Sequence, residues 1–207
     1  MAVLAVKWLV LPEIDRYRPE IQQFLQSQTG TPIEIGEIRA SWRGFGPTLI
    51  VRDIRLTRPD GGVGLQAERL QLNWSLPSIL TFSPRLRNLE VDSPTVSVHR
   101  NAAGIFEVAG VPFVDDGTEG NPGLDWLLGQ RRVLLTNGVL NWQDALGQFP
   151  DTQATQAEML LENGLRSHRA GLVFNLPSLA QTPVQAMLNF NTPLLDRKLG
   201  DVDTWKG

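Results

Sequence analysis

The chain holds two histidines and no cysteine, which removes most polar chemistry at once. His99 and His168 have no second imidazole or thiolate at ligand spacing, so neither predicts a metal site, and both read as surface or strand-edge residues. Thiol catalysis, disulfides and zinc–cysteine sites are excluded outright. Carboxylate pairs exist, Asp115 with Asp116 and Asp201 with Asp203. Such pairs catalyse only across a cleft, and these are neighbours in loop-like sequence. The acidic stretch DDGTEGNPG, Asp115–Gly123, lacks the ligand spacing of a calcium loop. Gly61, Gly62 and Gly64 belong to a hairpin turn, with no helix behind them to offer amides to a phosphate. No G-x-S-x-G, P-loop, G-x-G-x-x-G after a strand, or H-E-x-x-H pattern occurs. Asn73-Trp74-Ser75 has the form of a glycosylation acceptor, yet Trp74 falls inside a strand pattern. No catalytic residue, metal or cofactor is expected.

What remains is the chemistry of apolar surface. Leu70, Leu72 and Trp74 alternate with Gln71 and Asn73, so one side of a pleated strand is apolar and the other wet. Ile54 and Leu56 alternate with Asp53 and Arg55, and Val96 and Val98 flank Ser97. Leu172 and Phe174 precede Asn175, and Leu188 and Phe190 flank Asn189. The polar partners cannot lie in apolar surroundings without hydrogen bonds. Parity therefore puts Ile54, Leu56, Leu70, Leu72, Trp74, Val96, Val98, Leu172, Phe174, Leu188 and Phe190 on an apolar floor, the candidate site for an apolar ligand.

Strands must position this floor. From Thr31 onward they dominate, with turns expected at Gly44–Pro47, Pro59–Gly62 and Asn101–Gly104. Ile33 and Ile35 are odd-numbered whereas Ile38, Ala40 and Trp42 are even-numbered, and Ala67 gives way to Leu70. Such phase slips read as β-bulges that bend and twist a sheet. Asp115–Gly123 reads as a linker and Leu124–Gln130 as a short helix. A second set of strands follows at Val133–Leu135, Val139–Trp142, Ala157–Leu161, Ala170–Leu176 and Val184–Phe190. Ahead of them all, Glu13–Gln28 carries Ile14, Tyr17, Ile21, Phe24 and Leu25 at helical spacing. Pro19 sets the start of its regular part near Arg18, and Gly30 lies beyond its end.

At 207 residues, 42% hydrophobic and 20% charged, the chain has the composition of a folded protein with a full core. A net charge of −3 offers no electrostatic footprint for nucleic acid. Met1–Leu11 is apolar except for Lys7. As a helix it reaches about 16 Å, roughly half a bilayer core. With no small-residue cleavage site before Pro12 a removed signal peptide fits poorly, which leaves the outer end of a membrane helix, a core strand or a disordered start. About ten one-sided strands need cover, and the chain supplies one good helix. Either the sheet doubles into a sandwich, or it curls into a trough whose exposed apolar floor awaits a ligand.

Trp8–Leu56 resembles the start of YhdP-like proteins of the AsmA/TamB superfamily. There a membrane helix leads through a Pro-containing helix into G-x-P (Gly30-Thr31-Pro32), a Trp-ended strand (Trp42) and F-G-P (Phe45-Gly46-Pro47). Leu65–Gly104 is similar to the AsmA repeat unit, and Gly138–Asp144 with His168–Pro177 to the following segment. The resemblance implies the N-terminal portion of a bridge-like lipid-transfer protein, built as a repeating β-groove. It is expected to be non-enzymatic and to carry phospholipid acyl chains toward the outer membrane of a Gram-negative bacterium. It is also expected to be a single-pass inner-membrane protein with its bulk in the periplasm, with other envelope proteins as partners.

The expected fold is mainly β, a twisted, largely antiparallel sheet curled into an open apolar groove, with an N-terminal amphipathic helix. The expected organisation is a membrane-helix end at 1–12, the amphipathic helix at 13–30, and a first groove block at 31–114. The linker at 115–123 and a second block at 124–207, truncated at its end, complete it. Ten or so strands would span about 50 Å, so the chain reads as one module of a longer bridge or a shortened copy. The alternative is a scaffold for outer-membrane protein assembly, as for TamB-like relatives. A hydrolase or glycan-binding module lacks both paired carboxylates and an exposed aromatic platform.

Overall fold

A computed structural model describes residues 11–29, 32–43, 46–58, 60–74, 86–113, 129–164 and 167–191. The expected membrane segment up to Val10, the Asp115–Gly123 linker and most of the Leu124–Gln130 helix lie outside the described residues. A 3₁₀ segment, Leu11–Tyr17, leads into helix α1, Arg18–Thr29, with Pro19 in the first turn where its missing N–H costs nothing. Eleven strands follow: β1 Ile33–Arg43, β2 Gly46–Thr57, β3 Val63–Trp74, β4 Leu86–Asp92, β5 Thr95–Arg100, β6 Phe106–Val108, β7 Val111–Phe113, β8 Arg132–Asp144, β9 Thr152–Asn163, β10 Ser167–Asn175 and β11 Val184–Asn191. All belong to one sheet, so the sandwich is excluded among the described residues. Pairing is antiparallel throughout except that β8 runs parallel to both β4 and β5. The strands expected at Val133–Leu135 and Val139–Trp142 are one strand, β8.

The sheet is narrower than the strand count suggests. β4 and β5 follow one another along the same lane, both paired to β3 on one side and β8 on the other. The β6–β7 hairpin adds beside β5 beyond the start of β3. Eight lanes remain, β1-β2-β3-β4/β5-β8-β9-β10-β11, and seven gaps of about 4.8 Å give about 34 Å rather than 50 Å. The turns form close to the expected places. Gly61 (φ 83°) closes a turn with its N–H donating to Arg58 O, and Gly104 (φ 82°) does the same to Asn101 O. The first hairpin is tighter than Gly44–Pro47, because pairing runs on through Arg43–Gly46.

The phase slips take a form that the sequence does not reveal. Asp53, Ser93, Asn137 and Gln156 all adopt left-handed backbone, with φ of 52°, 49°, 54° and 50°. Gly36 and Asp53 face each other between the pairs Ile35–Ile54 and Glu37–Arg52. Asp53 faces Glu68 between Arg52–Arg69 and Ile54–Ala67. Ser93 joins Asn137, whose Nδ2 donates to its Oγ at 3.2 Å. The slips therefore align into a crease that crosses the strands. From β1 to β3 adjacent strands slip together and register is kept across the crease, so these slips are not isolated bulges. Only at Asn137 and Gln156 does the register between β8 and β9 shift. A left-handed residue breaks two-residue alternation, so the apolar residues on both sides of the crease return to one face.

The N-terminal segment covers one end of that face. Ile14, Ile21 and Leu25 pack on the buried cluster Ile35, Ile38 and Val51. The same segment blunts the β1 edge: Ile38 N–H donates to Asp15 Oδ1 at 2.9 Å, Gln22 Nε2 donates to Ile33 O at 3.0 Å, and an Arg18 guanidinium N–H donates to Gly36 O. An occupied edge cannot recruit another strand. A second cluster, Leu86, Leu89, Val133 and Leu161, lies mid-sheet.

Close backbone approach fixes Gly64 in β3, where an added Cβ would stand 2.2 Å from the Ala109 carbonyl oxygen. Gly64→Ala is expected to lower stability by about 1–3 kcal/mol, read by urea denaturation, because a backbone oxygen cannot step aside as a side chain can. An unchanged midpoint would mean that the β6–β7 hairpin is not held against β3.

Candidate functional site

Register, followed lane by lane, assembles the apolar residues into continuous rows. One row runs Ile38–Val51–Leu70–Val91–Leu135–Met159–Leu172–Ala186 across all eight lanes. The next runs Ala40–Leu49–Leu72–Leu89–Val133–Leu161–Ala170–Leu188. Beyond the crease a third runs Ile33–Leu56–Leu65–Val96–Leu140–Ala154. The first two rows are two residues apart along every strand and so share a face; the third lies five residues from the first, across the crease.

Each sequence-predicted residue has a place in or beside these rows. Leu70 and Leu172 occupy the first row, Leu72 and Leu188 the second, and Leu56 and Val96 the third. Ile54 pairs with Ile35 and Ala67 next to the crease. Val98 stands opposite Trp142 and Val108, Trp74 opposite Leu86, and Phe174 opposite Val184. For Phe190 the ladder partner is His168. Cover falls off along the rows: Leu56 is buried at the helix end, whereas Leu172 is 36% and Leu188 53% exposed toward the β11 edge.

Val133 and Leu161, both buried in the second row, were not legible in the sequence. They sit in Val133-Leu134-Leu135 and Met159-Leu160-Leu161, where apolar residues are continuous and parity has no polar partner to mark it. His168 also differs from expectation. It is 1% exposed, with Nδ1 2.8 Å from Asn163 Oδ1, not a surface or edge residue. Asn163 Nδ2 donates to Gln130 O, leaving its Oδ1 to accept from a neutral imidazole. Burial lowers the His168 pKa, because a charged ring would lose its hydration.

Concavity is distributed differently from the expected trough. An open cavity of about 970 Å³ lies on the opposite, polar face, lined by Arg69, Gln71, Asn73, Asn88, Arg132 and Arg169 among others. Trp74, at the end of its strand, also reaches it. Among the described residues no group of three or more His, Asp or Glu could hold a metal. No described helix is long and apolar enough to cross a membrane.

The YhdP protein family matches the chain over residues 1–207. The chain belongs to that family. It is 48% identical over 54 residues to the protein described as intermembrane phospholipid transporter YhdP of Escherichia coli (strain K12). That match takes in 26% of this chain and 4% of the relative's length. No solved structure matches it.

Proposed function

We propose that this chain is the N-terminal, non-enzymatic module of a phospholipid-transfer protein, and that its apolar rows carry acyl chains. The observation that carries the reading is the continuity of the rows: from β1 to β11 no polar residue interrupts either eight-lane row. Burying an acyl chain gains about 0.8 kcal/mol per methylene, on the order of 12 kcal/mol for sixteen carbons. A uniform floor offers that gain at each position, so a chain can slide without meeting a deep trap. The relative's role as an intermembrane phospholipid transporter supports the same assignment.

This reading puts the protein in the bacterial envelope, anchored in the inner membrane by residues 1–12, with the sheet in the periplasm. The occupied β1 edge and the increasingly exposed β11 end suit a sheet that continues in one direction only. Transfer toward the outer membrane and contact with other envelope proteins belong to the same proposal.

A photo-crosslinking residue at Leu72, in the protein that carries this chain, is expected to capture phospholipid in cells. One at Gln71, its neighbour on the polar face, is expected to capture none. Equal capture at both positions overturns the assignment of the face.

A further inference from the structure

The polar face carries a feature that acyl-chain conduction does not use. Its 970 Å³ cavity is lined by five arginines, Arg69, Arg87, Arg131, Arg132 and Arg169, against a single carboxylate, Glu162. Glu162 lies between Arg132 and Arg169 in the register, 3.7 Å from Arg132, and leaves the arginines in excess. The buried Arg69 Nε and Asn88 Oδ1 have no hydrogen-bond partner, a donor and an acceptor on the wall of the same cavity. Buried polar groups ordinarily find a partner.

One pleat along the same strands the surface changes character. Leu134, Leu160, Gly171 and Met187 form a transverse row two residues from Arg132, Glu162, Arg169 and Asn189, about 7 Å away. They line a second, mainly apolar cavity of about 420 Å³, which Glu158 and, from the first apolar row, Met159, Leu172 and Ala186 also line. Gly171 leaves a notch in its floor, since a Cβ there would meet nothing within 4 Å. Met187 is 79% and Val173 36% exposed around it. Both cavities have the size of small-molecule sites, roughly 300–1,000 Å³.

From this adjacency we infer that the polar face binds one anionic amphiphile, its phosphate against Arg132 and Arg169 and its acyl chain over the Gly171 notch. Excess guanidinium selects a net negative headgroup, because charge-assisted bonds to phosphate outweigh neutral ones. The phosphate contacts, Arg132 and Arg169, lie on the face opposite the apolar rows, and a headgroup site goes beyond the conduction reading.

The test is calorimetric titration of purified protein with short-chain phosphatidylglycerol, short-chain phosphatidylcholine and inorganic phosphate, the lipids held below micelle formation. Phosphatidylglycerol is expected to bind about tenfold more tightly than phosphatidylcholine, roughly the worth of one charge-assisted bond. Arg132→Gln with Arg169→Gln should erase that preference. Gly171→Leu fills an open notch, so the protein should fold normally by circular dichroism while binding both lipids at least about fivefold more weakly, a large apolar side chain's share. Equal affinity for the two lipids, or Gly171→Leu binding like the parent, overturns the inference. So does inorganic phosphate binding as tightly as phosphatidylglycerol, which would make this a plain anion site. Leu188→Asp, on the other face, should leave the preference for phosphatidylglycerol over phosphatidylcholine in these titrations unchanged. If it abolishes them while Gly171→Leu does not, the lipid sits on the apolar rows, and conduction stands without this site.

Discussion

Leu188→Asp is expected to cut phospholipid transfer by about tenfold or more while leaving the fold intact. Leu188 closes the second apolar row, opposite Ala170, and is 53% exposed. A carboxylate there keeps its water in the resting protein, so thermal stability should barely move. An acyl chain crossing the row would have to strip that water, and an unpaired charge against hydrocarbon costs more than the few kcal/mol of a neutral polar group. Asn189→Asp puts the same charge on the polar face, opposite Arg169, and should leave transfer near the parent rate. Leu72 is a poorer place for this experiment because it packs against the mid-sheet cluster, and a charge there would unfold before it reported on transfer. Equal transfer by parent and Leu188→Asp would mean that the rows are ordinary core at this end.

Asp144→Ala is the substitution with the largest expected effect on stability, lowering the thermal midpoint by on the order of 10 °C. The parallel register of β5 and β8 sets Arg100 opposite Asp144. The Asp144 side chain is fully enclosed. Its carboxylate accepts from Arg100 Nε at 2.8 Å and Nη2 at 2.5 Å. It also accepts from the backbone N–H of Leu146, Gln148 and Phe149 at 2.9–3.0 Å. Arg100 stacks 5.3 Å over the Phe149 ring. One carboxylate thus ties two strands and the β8–β9 loop together, and its removal leaves an enclosed guanidinium and three loop amides unsatisfied.

The bond to Arg100 holds the Asp144 pKa well below its ordinary 3.8, against burial, with the loop amides adding to the lowering. A carboxylate with a lowered folded pKa contributes stability that is complete above its unfolded value. The contribution is lost as pH falls from about 4 toward the folded value. Denaturation of the parent should therefore steepen below about pH 4. Asp144→Asn, isosteric but unable to titrate, should begin less stable and lose that part of the acid dependence. Parallel acid limbs for parent and Asp144→Asn would show that the clamp contributes nothing that protonation can remove.

Wherever one polar residue separates two apolar ones, as in Leu70–Trp74 or Val96–Val98, alternation by itself determined the strand and its apolar side, because a pleat has a period of two. Three- and four-residue spacing located the first helix, since Pro19 is compatible only with a first turn and Gly30 lies just past the end. The family was legible in the run from Trp8 to Leu56.

Tertiary structure alone decided how the strands add up. That β4 and β5 share a lane, and that β8 lies parallel to both, depends on a long crossover whose return no local pattern encodes. Local parity cannot relate one strand's face to another's across a phase slip. The aligned crease through Gly36, Asp53, Ser93, Asn137 and Gln156 does so, because adjacent strands slip in the same row. Burial in Val133–Leu135 and Met159–Leu161 was settled by packing, since both faces there are apolar and only the covered one becomes core. The polar cavity was likewise invisible, because its arginines come from separate strands and the adjoining apolar notch depends on a missing side chain at Gly171. Charge that is scattered along a chain becomes a site only when register gathers it.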